Sequence, residues 1–197
     1  DREMASQDDA TVDRIARSLP KARYVHFATH GFFDAESLTA EKKQEAEVLK
    51  NRRTGDQSRR IVAKNPLAFV GLVLSHGEIL SGLSLVDLPL EQLRLATLSA
   101  CETGLGESTG GEGMQGLQRA FHIAGCPNVV ASLWNVNDAA TAALMAKFYH
   151  ELWVNKKAPL AALREAQLFI YHHPESIPNL AGERGAPKQK EALAAVP

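Results

Sequence analysis

The sequence lacks the features that mark several classes of protein. Only 2 of its 197 residues are cysteine, too few for the disulfide framework of a small secreted domain. No apolar run approaches the roughly 18 residues of a membrane span, and the first residues show no signal-peptide pattern. The formal net charge of -1 gives no bulk reason to expect nucleic acid or a membrane surface as a partner. These absences favour a cytoplasmic protein with an ordinary hydrophobic core.

Apolar runs typical of strands alternate with segments whose apolar residues have helical spacing. The strand-like runs are residues 23–29, 68–74, 93–100 and 128–134. The helical segments are residues 8–19, 114–124, 139–153 and 159–171. Such alternation predicts an α/β fold, with a mostly parallel sheet flanked by helices on both faces.

The helical spacing also predicts which side chains are buried. In the helix that precedes Gly125, we expect a buried face of Met114, Leu117, Phe121 and Ala124. In the next helix, the predicted face is Ala140, Leu144, Phe148 and Leu152. In the last helix, it is Leu160, Leu163, Gln167 and Ile170.

Residues 35–64 interrupt this pattern with many charged and few large apolar side chains. One interpretation is a harmless surface insertion. The other is an exposed basic loop that is accessible to proteolysis, including self-cleavage if the protein cuts after basic residues. Because the chain starts at Asp1 and not at methionine, we expect it to be a piece of a longer protein.

Two strand ends carry candidate catalytic residues. One apolar run ends at Cys101, before a glycine-rich loop, and another ends at His30, before Gly31. Parallel α/β sheets place their chemistry at the carboxyl ends of strands, and a thiol needs a base to react near neutral pH. Cys101 and His30 are therefore a candidate nucleophile and base; the alternative for Cys101 is a buried structural thiol. We expect Cys126, after a helix-ending glycine, to be inert packing.

Other interpretations of these segments are weaker. His26 is expected to be a core histidine hydrogen-bonded to a neighbour. His26 and His30 have the four-residue spacing of a metal pair on a helix, but the segment has the pattern of a strand, so we expect no metal. The glycine loop before Glu112 lacks the Gly-Lys-Ser/Thr of a phosphate-binding loop, and no Gly-x-Ser-x-Gly serine hydrolase motif occurs.

Five blocks of the sequence match a known pattern: residues 26–34 (HFATHGFFD), 98–104 (LSACETG), 111–121 (GEGMQGLQRAF), 129–138 (VVASLWNVND) and 162–167 (ALREAQ). In these blocks the chain resembles the CHAT domains, bacterial caspase-like cysteine peptidases that are related to separase and often follow tetratricopeptide repeats. The resemblance spans roughly residues 10–172. We therefore expect a CHAT peptidase domain over residues 1–173, with the charged insertion 35–64, and a poorly patterned tail over residues 174–197.

The resemblance implies a caspase-haemoglobinase-like fold and a specific catalytic arrangement. His30 would be the general base or imidazolium partner, and Cys101 the nucleophile that forms an acyl-enzyme. The backbone N–H groups of Gly31 and Cys101 would bind the oxyanion. No cofactor is required.

The resemblance also suggests how a substrate is selected. In separase-like relatives, an aspartate in the Leu-Trp-x-Val-x-Asp block selects a basic residue before the scissile bond, and Asp138 has that position here. The alternative is that Asp138 is the N-cap of the helix that follows, a role that Asn137 could also fill. Glu102 and Glu112 are further candidates for the border of the same pocket.

The resulting hypothesis is an endopeptidase that cuts a protein partner after Arg or Lys, controlled by an activating protein or an adjacent repeat domain. No direct contact with nucleic acid or a membrane is expected. The alternative is a catalytically silent CHAT fold that serves as an interaction or signalling module. The long segment 35–64 departs from the family pattern, and a closing aromatic-rich strand and a strand before residue 8 are missing. The two missing strands indicate a truncated piece or a natural variant and leave the completeness of the sheet open.

Overall fold

The computed structural model describes residues 4–5, 8–34, 36–40, 42–44, 65–99, 112–132 and 137–182, the first three residues of the 112–132 segment by backbone alone. The chain forms two compact units, Asp1–Asn135 and Val136–Pro197. Of the charged insertion 35–64, the structure describes only residues 36–40 and 42–44, which are helical, so self-cleavage there stays a prediction.

The first unit combines helices with two small sheets. In chain order its elements are α1 (Val12–Ser18), β1 (Tyr24–Phe27), β2 (Gly31–Phe33), β3 (Val70–Val73), β4 (Ile79–Ser81), α2 (Gly82–Val86), β5 (Leu95–Leu98), α3 (Glu112–Ile123) and β6 (Val129–Ala131). Short 3₁₀ turns lie at Leu19–Lys21, Pro66–Phe69 and Ser75–Gly77. The prediction of a mixed α/β architecture is confirmed.

A three-stranded parallel sheet has the order β1-β5-β6. Three of the predicted strands form it, each shorter than its apolar run. The central strand β5 is buried along its whole length, as expected of a strand between two others. The apolar run 23–29 also predicts a strand that is buried on both faces, and this prediction is wrong for β1. Tyr24 and His26 are exposed, because β1 is at the edge of the described sheet.

The predicted strand 68–74 belongs to a different sheet. It begins only at Val70, after the 3₁₀ turn Pro66–Phe69, and β3 pairs antiparallel with both β2 and β4. The short link from β3 to β4 explains why these two strands are antiparallel, because a turn of a few residues cannot join parallel neighbours. His76 and Gly77 turn the chain with φ angles of 57° and 74°. Gly77 and Gly82 in the sequence predict a hairpin or turn between them, and the turn at Gly77 is confirmed. The prediction of a mostly parallel sheet holds for one of the two sheets in the described residues.

Helix α3 covers one face of the parallel sheet. Leu117, Phe121 and Ala124 are buried, and the Phe121 ring lies 6.1 Å from that of Phe27 on β1. Gly125 follows the helix with a φ of 108°, a conformation that favours glycine. The predicted helix face and its glycine end are confirmed for these residues.

The described residues of the second unit, 137–182, form helices joined by short turns. The unit contains α4 (Asp138–Tyr149), which continues as a π-helical turn at His150–Val154, then α5 (Pro159–His172), a 3₁₀ turn (Pro174–Ser176) and α6 (Ile177–Gly182). The extents predicted for the two long helices are confirmed. Helix α6 packs against α4, although the sequence pattern indicated only a poorly patterned tail there.

The predicted buried faces of the second unit are only partly correct. In α4 and the turn after it, Phe148 and Leu152 are buried as expected. In α5 the predicted face is wrong, because Leu160 is 79% exposed and the buried residues are Ala162 and Ala166. Small side chains let helices approach closely, so α5 packs through its alanines.

A buried carboxylate connects parts of the second unit. Glu151, in the π-helical turn, accepts a hydrogen bond from Asn155 Nδ2 at 2.8 Å and lies 2.8 Å from the Nζ atoms of both Lys147 and Lys157. These hydrogen bonds lower the pKa of Glu151 to about 2. Lys157 also pairs with Glu165 of α5. The cluster therefore ties α4, the loop after the π-helical turn and α5 together.

We expect Phe121→Ala to lower the free energy of unfolding by about 3–5 kcal/mol, because it removes a fully buried ring between α3 and the sheet. Ile123→Ala, on the same helix but 54% exposed, is the matched control and should change it by less than about 1 kcal/mol. Urea unfolding of both variants measures this difference. Similar losses in the two variants would contradict the packing of α3.

Glu151 should make the stability of the second unit sensitive to acid. The pKa of Glu151 is about 2 in the folded protein, against 4.5 for a free glutamate side chain. The ionised carboxylate therefore stabilises the folded state fully above about pH 4.5, and this stabilisation is lost as the pH falls towards 2. Between pH 7 and pH 3 the wild type should lose about 2 kcal/mol more stability than Glu151→Gln. Urea unfolding at the two pH values measures the loss. Glu165→Gln, at the exposed partner of Lys157, should keep the wild-type dependence.

Candidate active site

The register of β1 and β5 aligns the ends of the two strands that precede the candidate catalytic residues. Phe27 pairs with Leu98, and the Ser99 N–H donates to the Phe27 carbonyl at 2.8 Å. His30 is the third residue after Phe27, and Cys101 is the third residue after Leu98. The two segments therefore leave the same edge of the sheet with equal offsets. Cys101 itself lies outside the described residues.

The backbone of His30 is held by a hydrogen bond, whereas its side chain is exposed. Its carbonyl accepts a hydrogen bond from Val73 N–H at 2.9 Å, and the hydroxyl of Thr29 donates to the Val73 carbonyl. The segment between β1 and β2 is thus held against β3. The exposed imidazole can be reached by a substrate or by a neighbouring thiol.

Gly31 opens β2 with its N–H directed away from β3. Gly31 is paired with Leu72, and the hydrogen bonds of the ladder next to this pair run from Val73 N–H to His30 and from Asp34 N–H to Phe69. In that pattern, Gly31 and Leu72 form a non-hydrogen-bonded pair, whose N–H groups point away from the partner strand. The N–H group next to His30 is therefore not used by the ladder, as an oxyanion donor requires.

His26 lies four residues before His30, and its side chain has a polar partner. Its Nε2 atom lies 2.8 Å from the Oγ of Ser99, across the β1–β5 pair. The expectation of a hydrogen-bonded histidine is confirmed, but the expected core position is wrong, because the side chain is exposed at the edge strand. Sequence reasoning did not identify Ser99. The available signal was that Ser99 follows Thr97 by two residues and therefore shares its face of the sheet.

Asp138 is the first residue of α4 and is exposed. The side-chain oxygen of Asn137 accepts a hydrogen bond from Ala140 N–H at 3.1 Å, so Asn137 is the N-cap of the helix. The N-cap interpretation of Asp138 is therefore wrong, and its role in substrate selection stays a prediction. Glu112 is the first residue of α3, with only its backbone described, and Glu102 lies outside the described residues.

Cys126 has the environment of a structural thiol. It is 1% exposed, and its Sγ donates to the Asn128 carbonyl at 3.2 Å. Burial raises the pKa of this thiol, which disfavours the reactive thiolate. Its predicted packing role is confirmed.

The described part of the chain contains neither a metal-binding cluster nor a membrane-spanning helix. No group of three or more His, Cys, Asp or Glu side chains there could hold a metal ion. No helix among the same residues has the length and apolar character needed to cross a membrane.

Comparison with known proteins agrees with the family motifs in the sequence. The family model described as "CHAT domain" matches residues 1–181. The chain belongs to the CHAT domain family. A CHAT relative from mouse, named tetratricopeptide repeat protein 28, is 28% identical over 180 residues, which cover 85% of this chain and 7% of the mouse protein. This CHAT chain thus spans a small part of that relative, and no solved structure matches it significantly.

The cap assignment can be tested by stability measurements. Asn137→Ala should lower the free energy of unfolding by about 1 kcal/mol, because it leaves an N-terminal N–H group of α4 without its side-chain acceptor. Asp138→Asn removes only the interaction of a charge with the helix dipole and should cost about 0.5 kcal/mol or less. Thermal unfolding of the two variants measures both effects. A larger loss from Asp138→Asn would contradict the assignment.

Proposed function

We propose that this CHAT domain is a cysteine endopeptidase that cleaves a protein partner after Arg or Lys through Cys101 and His30. The observation that carries the proposal is the matched exit of their two segments from β1 and β5, three residues after the paired Phe27 and Leu98. A nucleophile and its base must lie within hydrogen-bonding reach. Equal offsets from a shared edge favour such an approach.

The proposed reaction follows ordinary thiol acyl transfer. The Cys101 thiolate attacks the scissile carbonyl carbon, and the resulting oxyanion is bound by the N–H groups of Gly31 and Cys101. As the C–N bond breaks, the His30 imidazolium gives its proton to the leaving amine. Water, deprotonated by His30, then hydrolyses the thioester to release the carboxylic acid and restore the thiol.

The proposed preference for Arg or Lys depends on Asp138. A carboxylate facing a guanidinium forms a strong pair with defined geometry. Asn137 makes the capping hydrogen bond of α4, so capping does not account for the acid at the next position. In the same proposal, Glu102 and Glu112 border the pocket.

We also propose that the fold is caspase-haemoglobinase-like. A caspase-haemoglobinase-like sheet has helices on both faces, and α3 covers the face of the parallel sheet that carries Phe27 and Leu98. On the opposite face of β5, Leu95 and Thr97 are each 1% exposed. Burial of both faces supports the two-sided arrangement.

The proposed control by an activating protein or an adjacent repeat domain has one supporting comparison. The mouse relative is named for its tetratricopeptide repeats, and the matched segment is a small part of it. A CHAT domain that is joined to repeats in one protein is a reasonable target for control by repeats in another.

The proposal is tested by covalent labelling with an arginyl chloromethyl ketone, read by intact mass and peptide mapping. We expect the thiolate of Cys101, and not Cys126, to displace chloride and form a thioether. Cys101→Ser should abolish labelling, and His30→Asn should slow it at least 100-fold, because the base is lost. His172→Asn, at an exposed histidine of α5, is the matched control and should react like the wild type.

Substrate selection is tested with the same reagent and an uncharged analogue. The wild type should prefer the arginyl reagent by at least tenfold, and Asp138→Asn should lose this preference while the uncharged reagent still labels Cys101. If the wild type reacts equally fast with the arginyl and the uncharged reagent, the role of Asp138 is overturned, and the proposal of a peptidase stands. If neither reagent labels Cys101, a catalytically silent CHAT fold that acts as an interaction or signalling module is favoured.

A further inference from the structure

We propose that His26 and Ser99 form a cross-strand clamp that positions Cys101 relative to His30, with His26 as a positioning residue. The inference rests on the proposed function, because it assigns a role in the same reaction. The clamp is the contact of 2.8 Å between His26 Nε2 and Ser99 Oγ, across β1 and β5.

The geometry of the sheet brings these two side chains together. His26 pairs with Thr97 in the parallel register, and paired residues of parallel strands share a face. Ser99 is two residues beyond Thr97 and so lies on that face as well, at the carboxyl edge. Its N–H donates to the Phe27 carbonyl at 2.8 Å, so Ser99 is held to β1 by both its backbone and its side chain.

A second set of hydrogen bonds holds the segment that contains His30. The Thr29 hydroxyl donates to the Val73 carbonyl, and the Val73 N–H donates to the His30 carbonyl at 2.9 Å. The segment after β1 is therefore fixed to β3, while the segment after β5 is fixed to β1 at Ser99. The two sets together define where each segment leaves the sheet.

The position of the clamp in the chain suggests a role in catalysis. Ser99 precedes Cys101 by two residues, a stretch that spans at most about 7 Å. In this proposal, a shift at Ser99 therefore displaces Cys101. Displacement of a reacting group by about 1 Å can cost 100-fold in rate. His26 is exposed, so its contact with Ser99 competes with water and is expected to matter little for folding.

The test compares side chains that keep or remove the contact. Gln at position 26 can place an amide nitrogen near the site of Nε2, and Thr at position 99 keeps a hydroxyl, whereas His26→Leu and Ser99→Ala remove the hydrogen-bonding groups. The rate of Cys101 labelling by the arginyl ketone is measured for each variant over pH 5–9. Thermal unfolding monitors the fold.

We expect His26→Leu and Ser99→Ala each to slow labelling at least tenfold, and the double variant to be no slower than the slower single variant. The pH of half-maximal rate should rise in the variants that lose the contact, because the thiolate is then further from the imidazolium. His26→Gln and Ser99→Thr should stay within threefold of the wild-type rate. Unfolding temperatures should change little in all of them.

The outcomes separate this inference from the proposed function. In one outcome, the wild type is labelled at Cys101 and His30→Asn is not, but His26→Leu and Ser99→Ala react like the wild type. This outcome overturns the clamp, and the proposal of a peptidase stands. Additive losses in the double variant also overturn the clamp. If the wild type does not label at Cys101, the proposed function and the clamp both fall.

Discussion

The parallel register between β1 and β5 is the constraint on which the candidate site depends. It pairs Phe27 with Leu98, and the hydrogen bond from Ser99 N–H to the Phe27 carbonyl extends the pairing by one step. Because the strands are parallel, the segments beyond these residues leave the same edge. A slip of one residue would reverse the faces of β1 and move Phe27 away from α3. Core packing against Phe121 therefore also fixes the register of the two strands that precede His30 and Cys101.

The second sheet adds a separate constraint on the same edge. β2 follows His30 directly, and the hydrogen bonds of His30 and Thr29 to Val73 link the end of β1 to β3. The alternating pattern of the antiparallel ladder leaves the Gly31 N–H directed away from β3. One short segment thus carries both the candidate base and a candidate oxyanion donor, at the point where the chain passes from one sheet to the other.

The sequence predicted the local features more fully than the pairing of strands. The buried face with Leu117 and Phe121 follows from helical spacing alone. The exposure of His26 could not be predicted in this way, because it depends on β1 being at the sheet edge. In α5, burial through Ala162 and Ala166 escaped the pattern, since small residues carry little hydrophobic signal. The candidate catalytic pair was found from strand ends, whereas the His26–Ser99 contact requires the register.

The strength of charge selection bears on how Asp138 would contact a substrate. Asn137 caps α4, so Asp138 can stabilise the helix only through its charge near the positive end of the helix dipole. This interaction contributes about 0.3–1 kcal/mol. An exposed pair between Asp138 and a guanidinium contributes at most about 1 kcal/mol, which is less than tenfold in selectivity. A pair that the bound substrate shields from water contributes about 1.5–3 kcal/mol, or roughly 10- to 100-fold. Asp138 is exposed in the described structure, so selectivity beyond tenfold requires this carboxylate to be shielded from water when the substrate is bound.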